Sequence, residues 1–427
     1  MLVNHPHLNR ALLTLLTITG ISLTGAFRAH PAIAQPGPTE PSTVQKTVTP
    51  ALKPAELIVK EETGWTKDYE KYFERHFETP LRNAPTIRAF LGNIARQTGK
   101  KSAVIYLVPT PQQLEVLLVT SDADPIHLSF ANAKGEDVKA IAKAFRQEVS
   151  NPNSADSIPD LASAQRLYAL FIAPIAEELK RQKIDTLMFC VGAGLRSVPF
   201  AALHDGKQFL IEQYSIGLIP AFSLIDLNYE SIKRAKVLAM GASEFKDLNP
   251  LPSVPQELWA IVKGRGGNSF LNTQFTVENL QAQRQKQLYP IIHLATHARF
   301  QPGNVENSYL QFWEQKVSLN QLPKLQFKLP VVDLLVLSAC QTALGNPQAE
   351  LGFAGLAIQS GVKSVLGSLW NVSDNGTFQL MAQFYKQLKT SPTKAEALRK
   401  AQVEILKQKD LSHPYNWSAF TMIGSPW

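Results

Sequence analysis

Two apolar runs end on side chains that could do covalent chemistry. "YPIIHLATH" closes on His297, and "VDLLVLSAC" closes on Cys340. A thiol attacks well only as its thiolate, and an imidazole titrates in the range needed to take that proton. The pair therefore reads as nucleophile and general base if the two runs lie side by side. Other readings compete with this one. A cysteine closing an apolar strand is more often a small packing residue than a nucleophile. His293 and His297, two registers apart on one strand face, could join a thiolate around zinc. The acidic partner and the Cys-x-x-Cys spacing of such sites are missing, so no metal or other cofactor is expected, and His293 is expected to hydrogen-bond inside the sheet. The even cysteine count, Cys190 and Cys340, also admits a disulfide; Cys190 itself reads as a buried strand residue.

The elements that must position these residues are legible as a pattern. "IDTLMFCVG", "AKVLAMGAS", "YPIIHLATH", "VDLLVLSAC" and "VKSVLGSLW" are continuous apolar runs of strand length, with helical segments between most of them. Continuous rather than alternating runs suit strands covered on both faces, which predicts a mostly parallel sheet in a three-layer α/β/α arrangement. In such sheets chemistry collects at the carboxyl ends of the strands. "GTFQLMAQFYKQL" and "KAEALRKAQVEIL" carry apolar residues at helical spacing. Upstream, residues 65–98 read as helical and "SAVIYLVP" with "QLEVLLVTS" reads as a hairpin. "GEDVKAIAKAFRQEVSN" is an amphipathic helix running into an Asn/Pro/Ser-rich loop, where a soft boundary is placed near residue 155.

The chain of 427 residues carries a formal charge of +8, with signs alternating along the helices and no dense basic run. That pattern argues against nucleic acid as a partner. At the N-terminus, His5, His7 and Arg10 precede "ALLTLLTITGISLTGAF", followed by Ala32 and Ala34 in small-x-small spacing. This predicts a secretory signal peptide over residues 1–34, an exported destination (periplasm, lumen or outside the cell), and no stable membrane span after cleavage. Residues 35–64, opening with the Pro/Thr-rich "QPGPTEPSTVQKTVTPALKPA", are read as a flexible linker.

Several blocks in order resemble the CHAT domain family, caspase-like proteins grouped with separase among cysteine peptidases. They are "LYALFIAPI", "GLRSVPFAALHDGKQFLIEQYSIGLIPAFSL", "LPSVPQEL", "HLATHARF", "LLVLSACQTALG", "ELGFAGLAIQSGVKSVLGSLWNVSDNGT" and "HPYNWSAFTMIGSPW". The resemblance implies a pseudo half over residues 65–155 and a catalytic part over 156–427. It implies a Cys340–His297 dyad hydrolysing peptide bonds of a protein or peptide substrate. It also implies an oxyanion hole from the backbone N–H groups of Ala298 and Cys340. Ala298 stands where caspase-like enzymes usually have glycine, and a glycine-only conformation would strain it. No third member orienting the imidazole is evident. Asp374, in "LWNVSDNGT", matches an acid that lines the pocket for a basic residue in separase-like relatives, which implies cutting after Arg or Lys; it could equally cap the following helix. Arg196 is expected to anchor a loop and Asp205-Gly206 to make a tight turn, while Gln341 and Glu350 flank the site without an assigned role. These family blocks are also compatible with an inactive scaffold that serves as a protein–protein interaction module.

Overall fold

The structure, a computed structural model, describes residues 53–154, 159–342 and 346–427, without the side chains of residues 154 and 339–342. The expected signal peptide and the linker as far as residue 52 lie outside the described residues. The linker is shorter than its predicted 64-residue end, because helix α1 already starts at Pro54 and runs to Phe73. Proline fits the first helical position, where its missing N–H has no partner to lose, and Glu56 reaches back to the Lys53 N–H at 3.2 Å. Leu57, Ile58, Trp65, Tyr69 and Phe73 form one buried stripe.

Helix α2 (Ala84–Thr98) leads into strands β1 (Ser102–Pro109), β2 (Leu114–Val119) and β3 (Ile126–Phe130), and α3 (Gly135–Val149) and α4 (Ala162–Phe171) follow. Then come β4 (Thr186–Val191), β5 (Ser215–Ile219), β6 (Val237–Gly241), α5 (Val254–Arg265), β7 (Gly267–Leu271), α6 (Val277–Lys286), β8 (Ile291–Phe300), β9 (Tyr309–Gln311) and β10 (Lys316–Ser318). The chain closes with β11 (Leu334–Thr342), α7 (Pro347–Ala354), β12 (Ser364–Ser368), α8 (Asp374–Gln387), α9 (Lys394–Leu406) and β13 (Phe420–Gly424). The described strands form one sheet in the order β10-β9-β8-β11-β12-β13-β5-β4-β1-β2-β3, with β6 and β7 branching from β8. The expected hairpin is β1–β2, and β3 adds an antiparallel edge strand that short, half-exposed "IHLSF" did not advertise.

The parts on either side of the soft boundary near residue 155 share one sheet. Strand β1 pairs in parallel with β4 from Ser102↔Thr186 to Leu107↔Val191, so the N-terminal part is built into the same sheet. Two parallel blocks result. β6, β8, β11 and β12 run one way, β1, β4 and β5 run the other, and β13 joins them, antiparallel to β12 and parallel to β5.

Buried carboxylates tie the helices to this sheet. Glu62 on α1 accepts the N–H groups of Phe222 (2.9 Å) and Ser223 (2.7 Å) and the Tyr106 hydroxyl (2.9 Å). Burial pushes its carboxyl above the ordinary range while these donors pull it back. Glu350 on α7 accepts from the Gly194 N–H at 2.9 Å and Ser197 Oγ at 2.5 Å, and the Arg146 guanidinium donates to the Gly194 carbonyl at 2.8 Å. Buried Arg196 lies over the Tyr69 ring at 5.4 Å and 3.7 Å from Asp68, an anchor between the 192–199 loop and α1. Asp205 accepts from the Lys207 and Gln208 N–H groups across the expected tight turn, with Gly206 at φ 97°.

The glycines of "ELGFAG" let α1 seat on α7. A Cβ on Gly355 would lie 2.5 Å from the Phe73 ring and 2.8 Å from the Leu351 carbonyl. Substituting Gly355→Val is expected to lower stability by about 1–3 kcal/mol through overpacking. A thermal melt of the purified variant checks this, and a Tm equal to wild type would show that α1 does not seat there.

Candidate functional site

β6, β8, β11 and β12 are parallel neighbours, so their carboxyl ends lie along one edge. That edge carries His297, Cys340, the 242–253 loop that follows β6, and Asp374, which opens the helix after β12. His297 and Cys340 are not strand-terminal, as their apolar runs suggested. β8 continues to Phe300 and β11 to Thr342, paired as Ala339↔His297, Cys340↔Ala298, Gln341↔Arg299 and Thr342↔Phe300. With strands about 4.8 Å apart and a rise of about 3.3 Å per residue, the Cα atoms of His297 and Cys340 are roughly 6 Å apart. The Cys340 thiol lies outside the described residues.

His297 occupies a fork. The amino half of β8 pairs with β6 as far as Ala295↔Gly241, and its carboxyl half pairs with β9 from Ala298↔Leu310. The register with β11 slips between Leu337 and Ala339. Bulges of this kind re-aim side chains next to functional sites. Here the buried run of residues 291–296 gives way to alternation: His297 and Arg299 are half-buried, Ala298 and Phe300 buried. Phe300 packs edge-on against Phe353 of α7, so His297 and Arg299 share the opposite face.

The 242–253 loop meets the imidazole there. The His297 Nε2–H donates to the Asn249 carbonyl at 2.8 Å, and the Phe245 ring lies 4.8 Å from the imidazole. A carbonyl only accepts, so the neutral ring carries its proton on Nε2 and keeps a free lone pair on Nδ1. This bond orients the ring through a partner that the sequence did not reveal. It is a main-chain oxygen, which any residue at 249 would supply. Burial lowers the imidazole below its ordinary 6.5, the Asn249 bond partly offsets this, and the Arg299 charge lowers it further. At neutral pH the ring is a free base. Arg299 was legible in principle, since a residue two along a strand shares its face.

Asp374 is the first residue of α8, capped by Ser373, whose hydroxyl accepts the Gly376 N–H at 3.1 Å. Its own Oδ2 accepts the Ser253 N–H at 2.6 Å. Asp374 therefore does not cap its own helix; it holds the end of the loop that touches His297.

Ala298 has no left-handed φ, so alanine costs no strain in the place of glycine. The ladder is more restrictive. Consecutive parallel pairs can be bridged only if the Cys340 N–H donates to the His297 carbonyl or the Ala298 N–H donates to the Ala339 carbonyl. Where Cys340 donates, Ala298 faces β9 and its N–H goes to the paired Leu310, so the Ala298 N–H is held in the sheet either way.

Other candidates separate from the site. His293 is fully buried, 3.0 Å from Glu257 of α5 but off the line of a good hydrogen bond, with Nδ1 3.2 Å from the Tyr385 hydroxyl of α8. It joins the sheet to helices rather than bonding within it, and no group of three metal-ligating side chains occurs among the described residues. Cys190 is buried on β4, four strand spacings from β11. That is roughly 19 Å, against the 7 Å or less between Cα atoms that a disulfide requires. A second Ser/His/carboxylate group, on β2 and β3, is no relay: Glu115 and Ser129 both meet His127 at Nε2, at 2.7 and 3.3 Å. A cavity of about 1090 Å³ is lined by Phe77, Arg82, Phe327, Ile358 and Lys363, among others, and includes none of the site residues. Lys363 precedes β12, which puts that cavity at the other end of the strand from Asp374.

The fold defines a caspase-like α/β/α protein with a mostly parallel central sheet. The chain belongs to the CHAT domain family, whose profile matches residues 161–425. The tetratricopeptide repeat protein 28 of Mus musculus is 23% identical over 321 residues, covering 61% of this chain and 13% of that protein. Its Homo sapiens counterpart is 22% identical over the same length, with the same coverage. The chain thus spans about an eighth of these curated relatives. A crystal structure of the Saccharomyces cerevisiae separase–securin complex superposes with a TM-score of 0.50 at 12% identity, over 88% of this chain and 34% of the matched one. No helix among the described residues is long and apolar enough to cross a membrane.

The electrostatics of the imidazole can be tested directly. Its folded pKa lies below the unfolded 6.5. The unfolded chain therefore binds this proton more readily. The residue opposes folding at acidic pH, and that effect fades as pH rises through the window up to 6.5. Replacing Arg299→Gln removes a like charge, so the His297 midpoint, followed by NMR titration, should move upward. A midpoint unchanged or lower than wild type would show that Arg299 does not act on the ring.

Proposed function

We propose that this protein is a cysteine endopeptidase in which Cys340 is the nucleophile and His297 the general base. One observation carries the reading: the Nε2–H to Asn249 hydrogen bond leaves Nδ1 unprotonated, with the Cys340 Cα roughly 6 Å from that of His297 on the neighbouring strand. Cys340 pairs with Ala298 and so falls on the alternate face of a regular ladder, and the dyad forms only where β11 parts from β8 beyond residue 339. Nδ1 takes the thiol proton, and the sulfur attacks the peptide carbonyl carbon. The C–O π pair moves onto oxygen, and a C–S bond forms. The imidazolium then gives its proton to the leaving amine as the C–N bond breaks. Water, deprotonated by Nδ1, attacks the thioester, and the thiol returns as the acid departs. The Cys340 N–H meets the oxyanion where the ladder runs through the Ala298 N–H; where it runs through Cys340 instead, Ala298 faces Leu310 of β9 and neither amide is free. A missing donor costs about 3–4 kcal/mol, so basal turnover is expected to be low unless β11 parts from β8 beyond residue 339.

Asp374 is half-buried, with Oδ2 engaged and its charge available to a guanidinium or ammonium group. We assign to it a preference for Arg or Lys before the cut. Such substrates are consistent with an exported peptidase acting on proteins.

On a library of Arg- and Lys-containing peptides, Cys340→Ala should abolish cleavage and His297→Ala should reduce it by about 10²–10⁴-fold. Asp374→Asn should weaken cleavage after basic residues more than after neutral ones. Wild type and Cys340→Ala behaving alike across the library, together with slow alkylation of Cys340 at pH 6, would instead identify a non-catalytic interaction scaffold.

A further inference from the structure

The loop that orients His297 is itself clamped, and the clamp sits on two residues outside it. The loop's neck is closed by the Leu251 N–H donating to the Ser243 carbonyl at 2.9 Å. On the β6 side, the Ser243 N–H donates to Asn272 Oδ1 at 2.9 Å, from a residue just beyond β7 held at φ 52°. On the α5 side, the Ser253 N–H donates to Asp374 Oδ2 at 2.6 Å. Most of the loop's side chains between these anchors are exposed: Glu244, Lys246, Asp247, Asn249 and Pro250 face solvent. Half-buried Phe245 and Leu251 pack against the core, and the exposed Asn249 between them depends also on the two hydrogen-bonded ends for the position of its carbonyl.

We propose that Asp374 and Asn272 are positioning residues, which act through the Ser253 and Ser243 amides to hold the Asn249 carbonyl against His297 Nε2 and so select the tautomer with a free Nδ1. Asp374 makes the stronger of the two bonds, because a carboxylate accepting a backbone N–H is charge-assisted and short. It also ties two catalytic-edge elements together: α8, which follows β12, and the loop that follows β6. A mixed tautomer population would leave Nδ1 protonated in a fraction of molecules and remove them from the reactive pool. The effect on turnover rests on the peptidase reading; the effect on the imidazole does not.

The experiment is ¹⁵N–¹H NMR of the histidine ring nitrogens on the full chain, assigned by loss of the His297 signals in His297→Gln, with Tm measured alongside. In wild type, His297 should show the Nε2–H pattern at neutral pH. Asp374→Ala should turn this into an averaged pattern of both tautomers. Asp374→Asn keeps an oxygen acceptor while removing the charge, and should restore the wild-type pattern even though it weakens cleavage after basic residues. Asn272→Gly tolerates the left-handed backbone and deletes the acceptor, so it serves as the second variant should Asp374→Ala fail to fold; it too should give the averaged pattern. His127 and His204, remote from the loop, should keep their signals in every variant. A pure Nε2–H pattern for His297 in folded Asp374→Ala or Asn272→Gly would overturn the proposal. So would Asp374→Asn matching Asp374→Ala, which would assign the effect to charge instead of the hydrogen bond. Failure of the peptidase reading would leave the NMR result intact and show only in the cleavage assay.

Discussion

An imidazole can give one proton and keep one lone pair, and a backbone carbonyl decides which nitrogen does which. In this protein the Asn249 carbonyl takes the Nε2–H of His297. The arrangement around it follows from that need. β6 has to leave the sheet after Gly241 so that its loop can fold back over β8. β8 has to exchange β6 for β9 at that same point, and the register slip against β11 turns His297 out of the buried run. A single-sided, regular strand could not present a side chain beside a loop while continuing its ladder for three more residues.

The same edge shows a tension between stability and chemistry. Pairing β8 to β11 beyond the dyad positions saturates backbone groups that would otherwise be orphaned. It also spends an N–H that an oxyanion would need. β11 leads into α7, which Glu350 fixes to the 192–199 loop and which Phe73 and Tyr72 of α1 contact through its glycines. The N-terminal helix thus packs on the element that follows β11, so the N-terminal part supports this edge as well as extending the sheet.

How much of this was legible beforehand differs from residue to residue. The apolar runs announced buried strands because strands covered on both faces have no polar side to show. Ordered family blocks named the same fold that the sheet displays. Pro54 and Glu56 announced a helix start ten residues inside the expected linker, but the Pro/Thr-rich stretch before them masked the signal. β3 was missed because a short edge strand, half-exposed along its length, has neither a continuous nor a cleanly alternating pattern. The soft boundary near residue 155 marked a change in composition, which does not report whether the strands on either side pair with each other.

The sequence by itself determined the inventory: a histidine and a cysteine on consecutive buried strands of one parallel block, an alanine beside the histidine, and an acid after the next strand. Side-chain type and spacing suffice for that, since both are written in the chain. Only the tertiary structure decided which groups act on which. Asn249 enters through its carbonyl, which every residue has. Asp374 reaches Ser253 across 121 positions. Cys190 and Cys340 are kept apart by the strands inserted between them. Hydrogen bonds and strand order are relations in space between distant segments, and no local pattern of residues encodes them.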